Sequence, residues 1–348
     1  MKALFIGGTG NISTAVSALA AEKGWELTLL NRGNHVARAP EDAEILTADA
    51  RDEAALARLL NGRHFDVVAD FIAFEVPQVE RDIRLFADNT DQYIFISSAS
   101  VYQKPLSYPI ITESTPTANP FSEYARNKIT CEERLMREYR ENGFPVTVVR
   151  PSHTYGEGYL PLPIPSRLGA WQTLLRMKRG KQVLVHGDGS SLWAAMWNGD
   201  FAKAFIGLMG NRAALGETVH ITTDEIITWN QIYDCIGAAL GVHVEKFHVS
   251  TAFLCALQPD WTGGFIGDKM HSVIFDNSKI KRLVPGFVAT TRFDQGARKC
   301  VDYICAHAEM QREDPEYDAF CDRIIHVQQE ALAAVRRLSG AVEEAETL

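Results

Sequence analysis

Short apolar runs alternate with helical stretches through the first 150 residues. Lys2–Ile6, Glu26–Leu30, Ala43–Leu46, Val67–Phe71 and Tyr93–Ser97 read as strands, with helices predicted over Thr14–Lys23, Asp52–Leu60 and Glu80–Ala87. The first of these helices carries its apolar face on Val16, Leu19 and Ala20. A helix over Glu123–Asn142 and a strand over Val146–Val149 extend the layout. Strands joined through helices cross over the sheet and so run parallel, and the helices then cover both of its faces. The pattern predicts an α/β fold with a doubly wound parallel sheet over residues 1–150.

Beyond Arg150 the pattern changes. Pro151, Pro161, Pro163 and Pro165 exclude a continuous helix or central strand there, and a loop of this kind can cover a site. Val183–His186 then reads as a strand, Asp200–Met209 as a helix, Glu217–Ile221 as a strand and Trp229–Leu240 as a helix, followed by a strand-like His243–His248. Residues 151–330 are expected to form mainly a second, smaller lobe, with about 183–222 returning to the first domain. Residues 331–348 read as a helical, acidic tail, frayed over Gly340–Leu348.

The chain has 348 residues, more than one average domain, yet no stretch in its middle has a linker composition. With 46% hydrophobic and 23% charged residues it can bury a large core, and its formal charge of −9 disfavours an extended nucleic-acid footprint. The six cysteines lack metal or redox spacing and read as reduced core residues. Met1–Ile6 passes straight into a strand, leaving no room for a leader, and no apolar run reaches membrane-spanning length. A cytoplasmic protein is expected, with no membrane, nucleic-acid or metal partner.

The first strand runs into Gly7-Gly-Thr-Gly10-Asn-Ile-Ser13, which opens the first helix. Gly7 lets the backbone turn tightly, Gly10 lets a pyrophosphate approach, and the helix start offers free N–H groups and the positive end of its dipole. The turn points to a dinucleotide held by Gly7, Thr9, Gly10, Asn11 and Ile12; a connection without a ligand is the alternative. Ser13 stands where a third glycine would pack most closely, and is expected to shift the helix slightly. After the second strand comes Asn31-Arg32-Gly33 in place of an acidic residue that would accept from a ribose. A guanidinium there pairs with a 2′-phosphate, which favours NADP(H), with NAD(H) as the alternative and a solvated loop arginine as the reading without a ligand. Asp49 and Ala50 stand to meet adenine, and Phe71, Ile72 and Ala73 to line ribose and pyrophosphate.

Tyr124 and Lys128 lie four residues apart in a helix and share one face. Alone they read as a surface pair. Beside a bound dinucleotide, such a pair can move a proton while nicotinamide moves a hydride.

The chain resembles the extended short-chain dehydrogenases/reductases of the NAD-dependent epimerase/dehydratase group. The matching features are Gly7-Gly-Thr-Gly10, Asp49, Ser97-Ser-Ala-Ser-Val-Tyr102, Tyr124-x-x-x-Lys128, Arg150-Pro-Ser-His-Thr-Tyr-Gly156, and Gly187-Asp-Gly189 leading to Asp200. They cover about the first 205 residues. The resemblance implies a Rossmann-type domain, a smaller C-terminal α/β substrate lobe, a site between them, and a homodimer through the helices bearing the Tyr–Lys pair. It implies that Tyr124 exchanges the proton, that Lys128 lowers the tyrosine pKa and holds nicotinamide ribose, and that Ser98 orients the substrate oxygen. Ser97, Pro151 and His153 would also border the cofactor, and Ser98, Ser100, His153, Trp193 and Trp197 the substrate.

Departures from the family pattern narrow the chemistry. Ala99 and Ser100 replace the acid pair of the sugar dehydratases, and Ser100 stands where double epimerase/reductases carry a cysteine. His153 replaces a frequent asparagine; it either exchanges a proton near neutral pH or serves as a hydrogen-bonded structural residue. Ser191–Asn198 lacks the arginine that grips nucleotide phosphates in relatives, and Trp193, Met196 and Trp197 build either an apolar substrate wall or core. Lys269 and Lys279 are candidate anion contacts; Arg167, Arg176, Lys178 and Arg179 form either a phosphate contact or a solvated face. The expected function is an NAD(P)-dependent oxidoreductase or epimerase acting on a secondary alcohol or ketone of a sugar, sugar derivative or similar small carbonyl compound. The alternative is a non-catalytic dinucleotide-binding protein, a cofactor sensor or RNA-binding relative.

Overall fold

β1 (Lys2–Ile6) lies inside the sheet because Ala3–Ile6 is apolar toward both faces, and all four side chains are fully buried. The computed structural model describes residues 1–34, 36–164 and 166–346, so Pro165 and the last two residues of the acidic tail lie outside the described residues. After β1 come α1 (Asn11–Glu22), β2 (Glu26–Asn31), β3 (Glu44–Thr47), α2 (Glu53–Leu60), β4 (Val67–Asp70), α3 (Val76–Phe86), β5 (Tyr93–Ile96), β6 (Ile110–Ile111), α4 (Glu123–Asn142) and β7 (Val146–Pro151). The chain continues through β8 (His153–Tyr155), α5 (Trp171–Lys178), β9 (Val183–His186), β10 (Leu192–Trp193), β11 (Ala195–Trp197), α6 (Asn198–Leu208), β12 (Thr218–Ile221), β13 (Ile227–Thr228), α7 (Trp229–Leu240) and β14 (Lys246–Val249). It ends with α8 (Thr251–Leu257), a short α9 (Thr262–Gly264) entering a π-helical turn at Phe265–Lys269, β15 (Ile274–Phe275), α10 (Ser278–Leu283), α11 (Phe293–Ala306) and α12 (Pro315–Glu346).

Seven strands form one parallel sheet in the order β12-β7-β5-β4-β1-β2-β3. Ile6 pairs with Leu30 on one side and Asp70 on the other, so the carboxyl ends of β1, β2 and β4 finish level. The order reverses between β1 and β4, which opens a crevice at those ends. Alternation along each strand splits the core in two. Ala3, Phe5, Leu29, Ala69 and Ile94 face α1 and α6, against Val16, Phe201 and Phe205, while Leu4, Ile6, Val68 and Phe95 face α2, α3 and α4, against Leu56, Ile83 and Leu135. Each such fully buried large side chain contributes roughly 1.5–3 kcal/mol relative to exposure.

The expected fold class is therefore present, with shifted element ends. α1 starts at Asn11 rather than Thr14, because the Gly10 carbonyl already accepts from the Thr14 N–H at 2.9 Å. α3 starts at Val76 rather than Glu80: Pro77 suits a first turn, and Gln78 Oε1 accepts from the Phe74 and Glu75 N–H groups. Of the stretch about 183–222, α6 and β12 return to the large sheet, but β9 pairs with β14. The latter pair belongs to the apolar clusters around Trp229, Tyr233, Phe293 and Tyr317, built largely from α5, α7, α11 and α12. α12 runs on to Glu346. Among the described residues no helix is long and apolar enough to cross a membrane, no metal-binding group of His, Cys, Asp and Glu is found, and all six cysteines are free thiols.

Candidate active site

The crevice at the β1–β4 switch holds a cleft of about 430 Å³. Its floor is the glycine turn. Gly7 has φ +85°, and a Cβ there would meet Ile72 Cγ2 at 2.5 Å, so only glycine lets the loop after β4 lie across the turn. Ser13 Oγ donates to the Gly7 carbonyl at 2.7 Å and accepts from Gly10 N at 2.8 Å, closing the turn on itself. Behind it, Asn11 Nδ2 donates to the Thr154 carbonyl at 2.8 Å, which ties α1 to β8.

The loop after β4 is held from within. Asp70 Oδ1 accepts from Ile72 N at 2.6 Å and Ala73 N at 2.8 Å, while Arg81 pairs with Asp70 at 3.1 Å and also donates to the Ala50 carbonyl. Both ends of this network are buried, so each charge has its partner where water cannot reach.

Tyr124 sits in the first turn of α4, whose start is capped by Ser122 Oγ accepting from Ala125 N at 3.2 Å. One turn later Lys128 is buried and donates from Nζ to the Ala73 and Ile96 carbonyls, each at 2.6 Å. Burial pushes its pKa down to about 8, against the opposing influence of Asp70, Cys131 and Glu132. Tyr124 does not show the lowering expected from Lys128. Tyr124 is 44% exposed, yet the partial burial of its phenol raises its pKa against the opposing influence of the Ser98 hydroxyl, and Asp268 adds to the rise. Lys128 has turned to the two carbonyls and lies 5.9 Å from the Tyr124 ring centroid, which explains the difference. Ser98 Oγ accepts from Ser100 Oγ at 2.9 Å and Ser100 N at 3.2 Å. The Ser97 hydroxyl donates instead to Glu132, which Arg150 holds in a buried ion pair.

His153 lines the same cleft, with its ring centroid 6.0 Å from Tyr159 and 6.2 Å from Trp193. Its Nε2 is buried without a hydrogen-bond partner. Burial, with Lys269 adding to it, pushes the pKa down to about 3. Of the two alternatives for this histidine, these surroundings disfavour proton exchange near neutral pH, and the unpartnered Nε2 departs from a fully hydrogen-bonded structural residue.

The cleft thus brings together Gly7, Gly10, Asn11, Ile12, Phe71, Ile72, Ser97, Ser98, Ser100, Tyr124, Lys128, Pro151, His153 and Trp193. Thr9 and Ala73 are buried just behind it. Asn31, Arg32, Asp49 and Ala50 gather at the ends of β2 and β3, outside the cleft proper. Arg32 is exposed and among the described residues makes no hydrogen bond or ion pair, whereas Asp49 is engaged by Arg51 at 2.6 Å, which with a contribution from Arg32 holds its carboxyl well below the usual range. Asn31 Nδ2 is buried and unpartnered. The glycine cradle, the free helix start and these two unsatisfied groups fit a dinucleotide.

Other expectations are corrected. Trp197 does not line the cleft as Trp193 does: it meets Tyr155 edge to face at 5.4 Å, lies under Lys299 and is half-buried against the C-terminal core to which Trp193 also belongs. Arg176 is not on a solvated face; it is buried and ties α5 to Asp318 and Asp322 of α12. Lys269 donates to the Gly264 carbonyl, and Lys279 pairs with Glu217, so neither enters the cleft. Sequence reasoning missed Lys104 and Asp268, both of which line it. The one signal for Asp268 is the glycine-rich run Gly263-Gly-Phe-Ile-Gly267 just before it; Lys104 carried none.

Comparison with known proteins matches residues 3–222 to the NAD dependent epimerase/dehydratase family. A 2′-dehydrokanamycin reductase of Streptomyces kanamyceticus is 23% identical over 82% of this chain and 80% of its own length. The chloroplast stem-loop binding protein of 41 kDa b of Arabidopsis thaliana is 26% identical over 69% of this chain and 63% of its own. Among solved structures, UDP-glucose 4-epimerase of Bifidobacterium longum, in complex with NAD+ and UDP, superposes with a TM-score of 0.72 at 18% identity, covering 89% of this chain and all of the other. At that identity the likeness speaks for the fold alone.

Proposed function

The chain belongs to the NAD dependent epimerase/dehydratase family, and from that premise we propose that it is an NAD(P)-dependent reductase or epimerase acting on a ketone or secondary alcohol of a sugar-like compound. The observation carrying this reading is the convergence of Tyr124, Ser98 and Lys128 on the cleft floored by Gly7 and Gly10. A bound nicotinamide supplies or accepts the hydride. Tyr124 holds its proton at neutral pH, because burial raises its pKa, and so serves as the acid that completes a ketone reduction. Ser98, which lines the cleft beside that phenol, orients the carbonyl oxygen, and Lys128 keeps a third N–H for the nicotinamide ribose. Neutral His153 adds a hydrogen-bonding Nε2 at the far wall.

Arg32 supports NADP(H) over NAD(H), since its guanidinium lies exposed at the end of β2. On this reading residues 1–150 hold the cofactor, 151–330 mainly shape the substrate side, and α4 is the first candidate for a homodimer surface. The reductase named among the relatives spans more of this chain than the stem-loop binding protein does, which favours chemistry over RNA binding. The test is to incubate the purified protein with NADPH or NADH and a panel of keto-sugars, following the nicotinamide absorbance. Cofactor-linked turnover that Tyr124→Phe removes supports the proposal. Salt-sensitive RNA binding with no turnover on any compound overturns it.

A further inference from the structure

Two opposite charges face the cleft without a partner. Lys104 is 3% exposed, yet among the described residues its ammonium makes no hydrogen bond or ion pair. Its backbone is fixed by the ladder in which Gln103 N and Lys104 N donate to the Pro116 and Ala118 carbonyls at 2.8 and 2.9 Å. Asp268 lies in the π-helical turn, and no protein group donates to its carboxylate. That turn is itself fixed: Asn119 Nδ2 donates to the Gly267 carbonyl and to the Ser100 carbonyl, both at 2.8 Å. Asp268 is thereby held on the wall that also carries Ser98 and Tyr124.

We infer that Lys104 and Asp268 together grip neighbouring hydroxyl groups of a neutral polyhydroxylated ring, and that this pair, not a nucleotide-phosphate contact, sets substrate specificity. The inference rests on the functional reading above and names its substrate class. An ammonium only donates and a carboxylate only accepts, while a hydroxyl does both, so two adjacent hydroxyls satisfy both groups at once. Burial pushes the pKa of Lys104 down and that of Asp268 up, each against the pull of the other. Whichever of them holds the proton, the pair sums to zero charge and keeps a donor and an acceptor. A diphosphate would find only one uncommitted cation, because Lys128 is engaged with two carbonyls, and Asp268 would repel it. A substrate ammonium would meet the same objection from Lys104. Trp193, Tyr159, Val273 and Phe275 complete the wall with apolar surface suited to the C–H face of a ring.

The experiment measures binding, so it does not depend on turnover. Tyr124→Phe protein saturated with NADP+ is titrated with myo-inositol, D-glucose, D-glucosamine, glucose 6-phosphate and UDP-glucose, and the titrations are repeated with Lys104→Met and Asp268→Asn added. The expected result is that a neutral ring binds at least about tenfold tighter than every charged probe, and that each added substitution weakens it at least about tenfold. NADP+ affinity should stay unchanged, which also reports an intact fold. Tighter or equal binding of a charged probe, no binding of either neutral ring, or an affinity indifferent to both substitutions overturns the inference. A protein that takes up no nicotinamide cofactor at all overturns the functional reading instead, and that result is seen before any sugar is added.

Discussion

Asn119 bridges two carbonyls that lie far apart in sequence, donating from the same nitrogen to Ser100 and to Gly267 at 2.8 Å each. It thereby sets the distance between the segment bearing Ser98 and the turn bearing Asp268. The fit at Gly267 is tight: a Cβ there would come within 3.2 Å of Asn119 Oδ1 and of the Phe121 side chain, which would have to give by a few tenths of an ångström. Asn119→Ala leaves two carbonyls short of a donor, a cost of about 1–3 kcal/mol. Stability should fall by that amount, and KM for the sugar-like substrate should rise severalfold with NADP(H) affinity unchanged, as urea melts and steady-state kinetics will report. A change in cofactor affinity instead would show that the bridge serves the other end of the cleft.

Tyr124→Phe removes the proton and keeps the ring that packs 6.1 Å from Phe74. Loss of a positioned acid typically costs about 10²–10⁴ in rate. That loss is expected in kcat, with fluorescence-measured cofactor affinity within about twofold of the unaltered protein. Turnover that survives would move the acid to another group.

The pH dependence follows from which groups hold protons. Tyr124 is raised, so its acid form persists through neutrality: ketone reduction should be flat there and decline only on the alkaline side, while alcohol oxidation, which needs the phenolate, should climb with pH. His153 is pushed down to about 3 and contributes no step near neutral pH. His153→Gln should therefore change rates without changing the shape of the profile between about pH 5 and 8. A step near 6.5 that vanishes in this variant would place a titrating proton on His153.

Arg32→Ala should weaken NADP(H) by about tenfold or more, since a charge-assisted hydrogen bond contributes about 1.5–3 kcal/mol, and leave NAD(H) within about twofold. Equal losses for both cofactors, read by calorimetry, would mean that the arginine does not meet the 2′-phosphate.

Gly7→Ala tests the cradle. The left-handed backbone alone costs roughly 1–2 kcal/mol for a residue with a Cβ, and the 2.5 Å approach to Ile72 adds to it. Ile72→Ala in the same chain should relieve the clash and recover part of the thermal stability. The backbone share of the loss should remain.

Much of this was legible before the structure, for reasons that differ from place to place. β1 could be read because it is apolar at every position after Lys2, as a strand buried on both faces must be, and α4 because Ser122 caps one end and Gly143 closes the other. Tyr124 and Lys128 could be placed on one face by their spacing, but the direction of the lysine could not, since the Ala73 and Ile96 carbonyls that capture it come from the loop after β4 and from β5. Trp193 and Trp197 looked equivalent four residues apart, yet one belongs to β10 and the other to β11, and although both pack against the same apolar cluster only Trp193 reaches the cleft. Lys104 and Asp268 stand 164 positions apart, and only the folded chain makes neighbours of them.

The edge strand β12 is made by residues that follow an excursion into the C-terminal lobe, and α6 returns just before it to cover α1. The backbone therefore passes between the two parts several times rather than once: near residues 152, 198 and 222, and again on either side of α10, whose Ile280 joins Phe287 in the core against α6. A chain ended after Pro151 would leave β7 with an open flank and Val16 and Ala20 facing water, so the cofactor half cannot be isolated by cutting there. The same threading means that every strand of backbone crossing the cleft would have to bend together if the cleft opened.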